Sequence, residues 1–175
     1  MDISNCADVT PRFSKNGWFN IHNSQLKQAY SIKPSVLIYG DSIAAGLSRY
    51  PSVWEKLLSL NCFNMGIRGD RVEHVAWRMN KYRLLDSVDF VILHCSTNNV
   101  DHDSSANIAN AIVEMGYRLL KQKPSLKFII SSLLPRDTSL SSPRRHKIIT
   151  IDNHLEKLCS LNNNIFLSWQ PLLHK

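Results

Sequence analysis

The chain has 175 residues, 43% of them hydrophobic, which suits one domain with a core of ordinary size. Lysine and arginine number 21 against 14 aspartate and glutamate, a formal charge of +7. No apolar run reaches the roughly 20 residues of a membrane span and Met1–Asn20 lacks the apolar centre of a signal peptide, so a cytoplasmic location is expected.

Residues 1–32 are polar and without clear periodicity, and they read as an irregular leader whose Trp18, Phe19 and Ile21 can pack on a domain formed by 33–175. Val36 to Tyr39 is a short apolar run, long enough for one buried strand, and Gly40 breaks it. Asp41-Ser42 then stand where the chain turns into the small-residue segment that follows. A strand that turns sharply into a helix presents the turn residue at the carboxyl edge of a sheet, where open α/β folds bind ligands. A hydroxyl there also meets the free N–H groups of a helix start. The same pair equally suits an ordinary N-cap.

Val53–Leu58 has helical spacing, and Cys62–Met65 is a second strand ended by Gly66. Between Arg71 and Lys81, Val72, Val75, Ala76 and Met79 share one helical stripe. Val88–Leu93 is a third strand and runs into Ser96-Thr97-Asn98-Asn99. Asp103-Ser104 can cap a long helix with Ile108, Ile112, Met115 and Leu119 facing inward, closed by Pro124. Leu126–Leu133 is a fourth strand, followed by a loop with Pro135 and Pro143. A last helix carries Ile148, Ile151, Leu155 and Leu158, and Ile165–Leu167 makes a fifth strand.

Strands alternating with helices at this spacing imply βαβ units, hence an α/β fold: a flavodoxin-like three-layer α/β/α sandwich around a five-stranded parallel sheet. Right-handed crossovers then bring all strand-to-helix loops to one edge. Ser42, the 66–70 loop and the 96–99 loop should therefore converge. They offer a hydroxyl, a glycine-flanked backbone N–H at Gly69, and the carboxamide of Asn98. A hydroxyl nucleophile with two such donors is what an oxyanion hole for acyl transfer needs.

Three blocks carry a family resemblance: Gly40-Asp41-Ser42-Ile43, Asn64-Met65-Gly66-Ile67-Arg68-Gly69-Asp70 and Ser96-Thr97-Asn98-Asn99. Together they resemble the SGNH (GDSL) esterase/lipase family. Gly69–Arg78 and Leu133-Leu134-Pro135-Arg136 look most like the catalytic subunits of intracellular platelet-activating-factor acetylhydrolases. Similar domains occur in some non-LTR retrotransposons. The resemblance covers about 33–170. It implies a serine esterase acting on small acyl esters, with Ser42 as nucleophile and Gly69 and Asn98 as oxyanion donors.

Two positions depart from the family pattern inside the blocks: Arg68 and Ser96 stand where glycine is usual. A third departure concerns the Asp-x-x-His motif that follows the fifth strand in that family and supplies the base. No Asp in this sequence is followed three positions later by His; His174 has Pro171 in the aspartate position. The domain is therefore expected to be truncated at its carboxyl end. A serine without its base is a poor nucleophile, so the alternative is an inactive binding or assembly domain.

Basic residues gather at Arg68, Arg71, Arg78, Lys81 and Arg83, and again at Arg136, Arg144, Arg145 and Lys147. Such clusters suit a solvated face or a weak nucleic-acid contact. The cysteines Cys6, Cys62, Cys95 and Cys159 are widely spaced and read as reduced thiols. No ligand spacing calls for a metal, and no glycine-rich phosphate loop calls for a nucleotide cofactor.

Overall fold

Residues 9–13 and 17–168 are described by the structure, a computed structural model. Among the described residues five strands form one sheet: β1 (Val36–Gly40), β2 (Cys62–Asn64), β3 (Phe90–His94), β4 (Lys127–Ser131) and β5 (Ile165–Ser168). Their order is β2-β1-β3-β4-β5 and every pairing is parallel. β1 is buried along its whole length, as expected of a central strand covered on both faces. Among the described residues, helix α1 (Trp18–Ile32) precedes β1, and α2 (Ser42–Gly46), α3 (Pro51–Ser59), α4 (Val72–Lys81), α5 (Ser105–Gln122) and α6 (Pro143–Cys159) lie in the connections between strands.

The two sheet faces are unequal. Leu37, Tyr39, Val91, Leu93, Phe128 and Ile130 point into the larger core, which α4, α5 and α6 close with Val75, Ile112 and Ile151. On the other face Val36, Ile38, Ala44 and Cys62 form a small cluster with Leu47 of the 3₁₀ turn and Leu57 of α3. Phe90 and Phe166 share that second face by register with Val36 and Ile38, yet are 42% and 43% exposed. Among the described residues, the second helical layer thus covers chiefly β1 and β2.

Residues 18–32, expected to be irregular, form a helix instead. Trp18, His22 and Ala29 recur at helical spacing and are all buried. His22 and Trp18 stack at 5.8 Å, and both meet Trp77 of α4, at 5.7 and 5.5 Å. An aromatic and histidine stripe, rather than an aliphatic one, makes this face. Phe19 is at the margin and Ile21 is 41% exposed, so of the three residues expected to dock only Trp18 is fully covered. Cys62, Cys95 and Cys159 are buried free thiols, and burial pushes all three above the ordinary thiol range. Cys6 and His174 lie outside the described residues. Among the described residues no helix is long and apolar enough to cross a membrane, and no three His, Cys, Asp or Glu side chains gather to hold a metal.

Candidate active site

Strand order reverses between β1 and β3, since the chain passes from β1 outward to β2 and then back across to β3. Such a switch point opens a crevice at the carboxyl ends of its strands. Ser42 follows β1 as the first residue of α2, and Asn98 lies in the loop after β3. Gly69 lies in the loop between β2 and α4.

Hydrogen bonds tie these loops together. The Asn64 carboxamide donates to the Ala44 carbonyl at 2.7 Å, while Gly66 N–H donates back to Asn64 Oδ1 at 2.8 Å. Ile67 N–H donates to the Gly40 carbonyl at 3.0 Å. Gly66 is held so close to α2 that a β-carbon there would stand 2.4 Å from the Ala45 nitrogen, so no side chain fits. Farther along the loop, Asn98 Nδ2 donates to the Asp70 carbonyl at 2.8 Å. The 64–70 loop therefore touches α2 at one end and Asn98 at the other.

Several donors at this rim have no acceptor among the described residues: the N–H groups of Ser42 and Gly69 and the second Nδ2 hydrogen of Asn98. Ser42 Oγ likewise makes no hydrogen bond there. Gly69 has φ +78°, a left-handed conformation that favours glycine. α2 is only five residues long, so the turn contributes its first N–H groups rather than a long helix dipole.

Beneath the loop lies a buried ion pair. Arg78, 1% exposed, approaches Asp70, fully buried, at 2.8 Å. The guanidinium also donates to the Met65 carbonyl and, at 3.3 Å, to the Gly40 carbonyl. Trp18 Nε1 donates to Asp70 Oδ1 at 2.7 Å. Arg78, counted in sequence with a solvated basic cluster, instead fastens the end of β1 to the 65–70 loop. Nothing local in the sequence separates it from its exposed neighbours, since its partner lies 8 residues upstream and its acceptors are carbonyls.

Asn99 is a second support. Its Oδ1 accepts from Val72 N–H at 3.0 Å, and its Nδ2 donates to Glu73 and Asp103, each at 2.9 Å. The second basic cluster reaches the same loop: Arg136 donates to the Thr97 carbonyl at 2.9 Å, and Asp101 is bracketed by Arg144 at 2.7 Å and Arg136 at 3.6 Å. Arg68 is exposed.

Ser96 sits at φ +106°, in a region that disfavours any side chain, and its buried hydroxyl has no partner among the described residues. Ser96→Gly should therefore stabilise the protein by about 1–3 kcal/mol, read as a higher urea midpoint with an unchanged slope. A midpoint at or below the original would mean that the loop relaxes around serine without strain.

Asp41 caps α2, accepting from Ile43 N–H at 2.9 Å, and is fully buried. Burial raises its pKa to about 6; the Ile43 N–H opposes this and the Asp70 carboxylate adds to it. The native state then binds a proton more tightly than the unfolded chain, so this group costs stability as pH rises from about 4 to 6. Asp41→Asn keeps the acceptor and removes the charge. It should gain up to about 3 kcal/mol above pH 6 and nothing below pH 4, measured by urea unfolding across that range. A gain independent of pH would contradict this reading.

No described histidine is hydrogen-bonded to Ser42. His22 is enclosed by aromatics, its ring nitrogens have no hydrogen-bond partner among the described residues, and burial, then Arg78, lowers its pKa to about 4. His74 Nδ1 accepts from Arg71 N–H at 3.0 Å, and burial lowers it to about 4 as well. His94 pairs with Ser131 Oγ at 3.0 Å, and burial lowers its pKa.

No protein-family model matches the chain. It is 31% identical over 160 residues to a platelet-activating factor acetylhydrolase IB subunit beta homolog of Drosophila melanogaster, covering 87% of this chain and 70% of that protein. The chain belongs to the platelet-activating-factor acetylhydrolase IB subunit family. The human alpha2 subunit of this family is 30% identical over 142 residues, covering 79% of the chain and 60% of that subunit. The chain thus spans about 60–70% of the length of these relatives. Among solved structures, a GDSL-like lipase of Bacteroides thetaiotaomicron superposes with TM-score 0.70 at 18% identity, covering 86% of this chain and 78% of that one. An acetylxylan esterase of Geobacillus stearothermophilus superposes with TM-score 0.58 at 16% identity, covering 79% and 77%. At these identities the structural likeness speaks for the fold alone.

Proposed function

We propose that the chain is a serine acyl hydrolase acting on small acyl esters, with Ser42 as nucleophile. The observation that carries this reading is the set of unengaged donors at the switch point, on loops bound to one another through Asn64, Gly66 and Asn98. Ser42 Oγ attacks the ester carbonyl, and the carbonyl oxygen becomes an anion. The N–H groups of Ser42 and Gly69 and the Asn98 carboxamide stabilise that anion, which collapses to an acyl-serine as the alcohol leaves. Water then attacks the acyl-serine, the acyl–Oγ bond breaks, and the carboxylic acid leaves as the serine hydroxyl is restored. The proton-accepting base belongs, on this reading, to residues beyond those described. The domain is proposed to comprise 33–175, with α1 docked against it.

Hydrolysis of 4-nitrophenyl acetate tests the proposal, with Ser42→Ala as the comparison. Turnover by the original chain that Ser42→Ala abolishes is the expected result. Equal turnover by both would overturn the assignment of Ser42.

One observation favours a second reading, an inactive binding domain: among the described residues Ser42 has no histidine partner. A domain of this kind working on nucleic acid would be retained on immobilised RNA in a salt-dependent way, through residues such as Arg144 and Arg145. Retention indifferent to salt would remove that version.

A further inference from the structure

The peptide joining Arg68 to Gly69 is a planar unit whose carbonyl and N–H point in opposite directions. Its N–H is the candidate oxyanion donor, and its carbonyl is not left to solvent. Arg12 Nη1 donates to the Arg68 carbonyl at 2.9 Å. The guanidinium also lies against Gly69, for a β-carbon built there would stand 2.6 Å from Nη1 and 3.0 Å from Nη2. Among the described residues that carbonyl is the one hydrogen-bond acceptor of Arg12.

We propose that Arg12 is a positioning residue for the oxyanion site: it fixes the 68–69 peptide and polarises the Gly69 N–H. The idea rests on the hydrolase reading given above. A glycine at φ +78° has no side chain with which to hold its own peptide plane, so the restraint must come from elsewhere. A charged donor on the carbonyl makes a stronger bond than a neutral one. Hydrogen bonds in series reinforce each other, so a carbonyl engaged by guanidinium leaves its peptide N–H a better donor. Two neighbours grip the same loop from the same part of the chain: Gln25 Nε2 donates to the Gly66 carbonyl at 3.0 Å and Trp18 Nε1 to Asp70 at 2.7 Å. Arg12 is the member of this set that acts on the donor's own peptide.

The test uses the full chain, labelled with ¹⁵N, as the original and as Arg12→Lys, Arg12→Gln and Arg12→Met. Arg12 is half-buried and outside every helix and strand, so none of these changes removes core packing. In Arg12→Met the Gly69 amide proton should move upfield. Arg12→Lys should stay near the original, and Arg12→Gln should fall between, because it restores a donor without the charge. In 4-nitrophenyl acetate hydrolysis, kcat should fall about tenfold in Arg12→Met with KM little changed, less than the loss of a whole donor. A Gly69 amide that does not respond to Arg12→Met overturns the proposal, and so does a responding amide with unchanged kcat. Failure of the hydrolase reading looks different: the original chain then turns over no ester, while the amide response still decides whether Arg12 holds the peptide.

Discussion

Replacing Arg78 with methionine is expected to destabilise the protein by about 3–5 kcal/mol, the cost of stranding one member of a buried ion pair. The guanidinium is 1% exposed and serves Asp70 together with the Met65 and Gly40 carbonyls. Methionine fills much of the volume but returns none of those hydrogen bonds. Burial already pushes the Asp70 carboxyl upward, with Arg78 pulling it back. Without Arg78 its folded pKa should climb further above the unfolded value. The destabilisation should then be full at neutral pH and shrink as pH falls through that raised pKa. Urea unfolding at pH 8 and pH 5 measures both features. A double variant with Asp70→Asn should lose clearly less than the sum of the single losses, because the stranded charge is gone. Additive losses would mean that the pair is uncoupled.

Asn98→Ala is expected to lower kcat for ester hydrolysis by about 10²–10³, the usual loss on removing one oxyanion donor. KM should move little, because the donor acts on charge that develops only in the transition state. Asn98 also donates to the Asp70 carbonyl, so part of any loss could come from a slackened loop. The Gly69 amide resonance separates the two causes: an unmoved resonance with a large fall in kcat assigns the loss to the missing donor. A fall in kcat below about threefold would remove Asn98 from the site.

Much of the sheet could be read from residue type alone. Val36–Tyr39 and, apart from Asp89, Val88–Leu93 are apolar runs of strand length, and β3 merely begins two residues later, at Phe90, because Val88 is taken up by a turn to Leu85. The loops bearing Ser42, Gly69 and Asn98 followed from the parallel topology, since every crossover delivers its loop to the same edge. Legibility failed where long-range polar contacts decide the outcome. α1 has no clear signature in the sequence because its buried face is made of Trp18, His22 and Ala29 rather than a run of aliphatics. Arg78 and Arg12 resemble any surface arginine until their partners, distant in sequence, are placed beside them. Ser96 was visible as an odd residue in a glycine position, but its φ of +106° was not.

The most direct test of the account is covalent labelling of the chain with a fluorophosphonate, mapped by tandem mass spectrometry. Its phosphorus is tetrahedral before and after fluoride leaves, so the phosphonyl-serine mimics the tetrahedral ester anion and its oxygen needs the same donors. A single adduct on Ser42 is expected, and its formation should slow in Asn98→Ala and, to a lesser degree, in Arg12→Met. Labelling at a different residue, or a Ser42 adduct that forms equally fast in all three proteins, would contradict it.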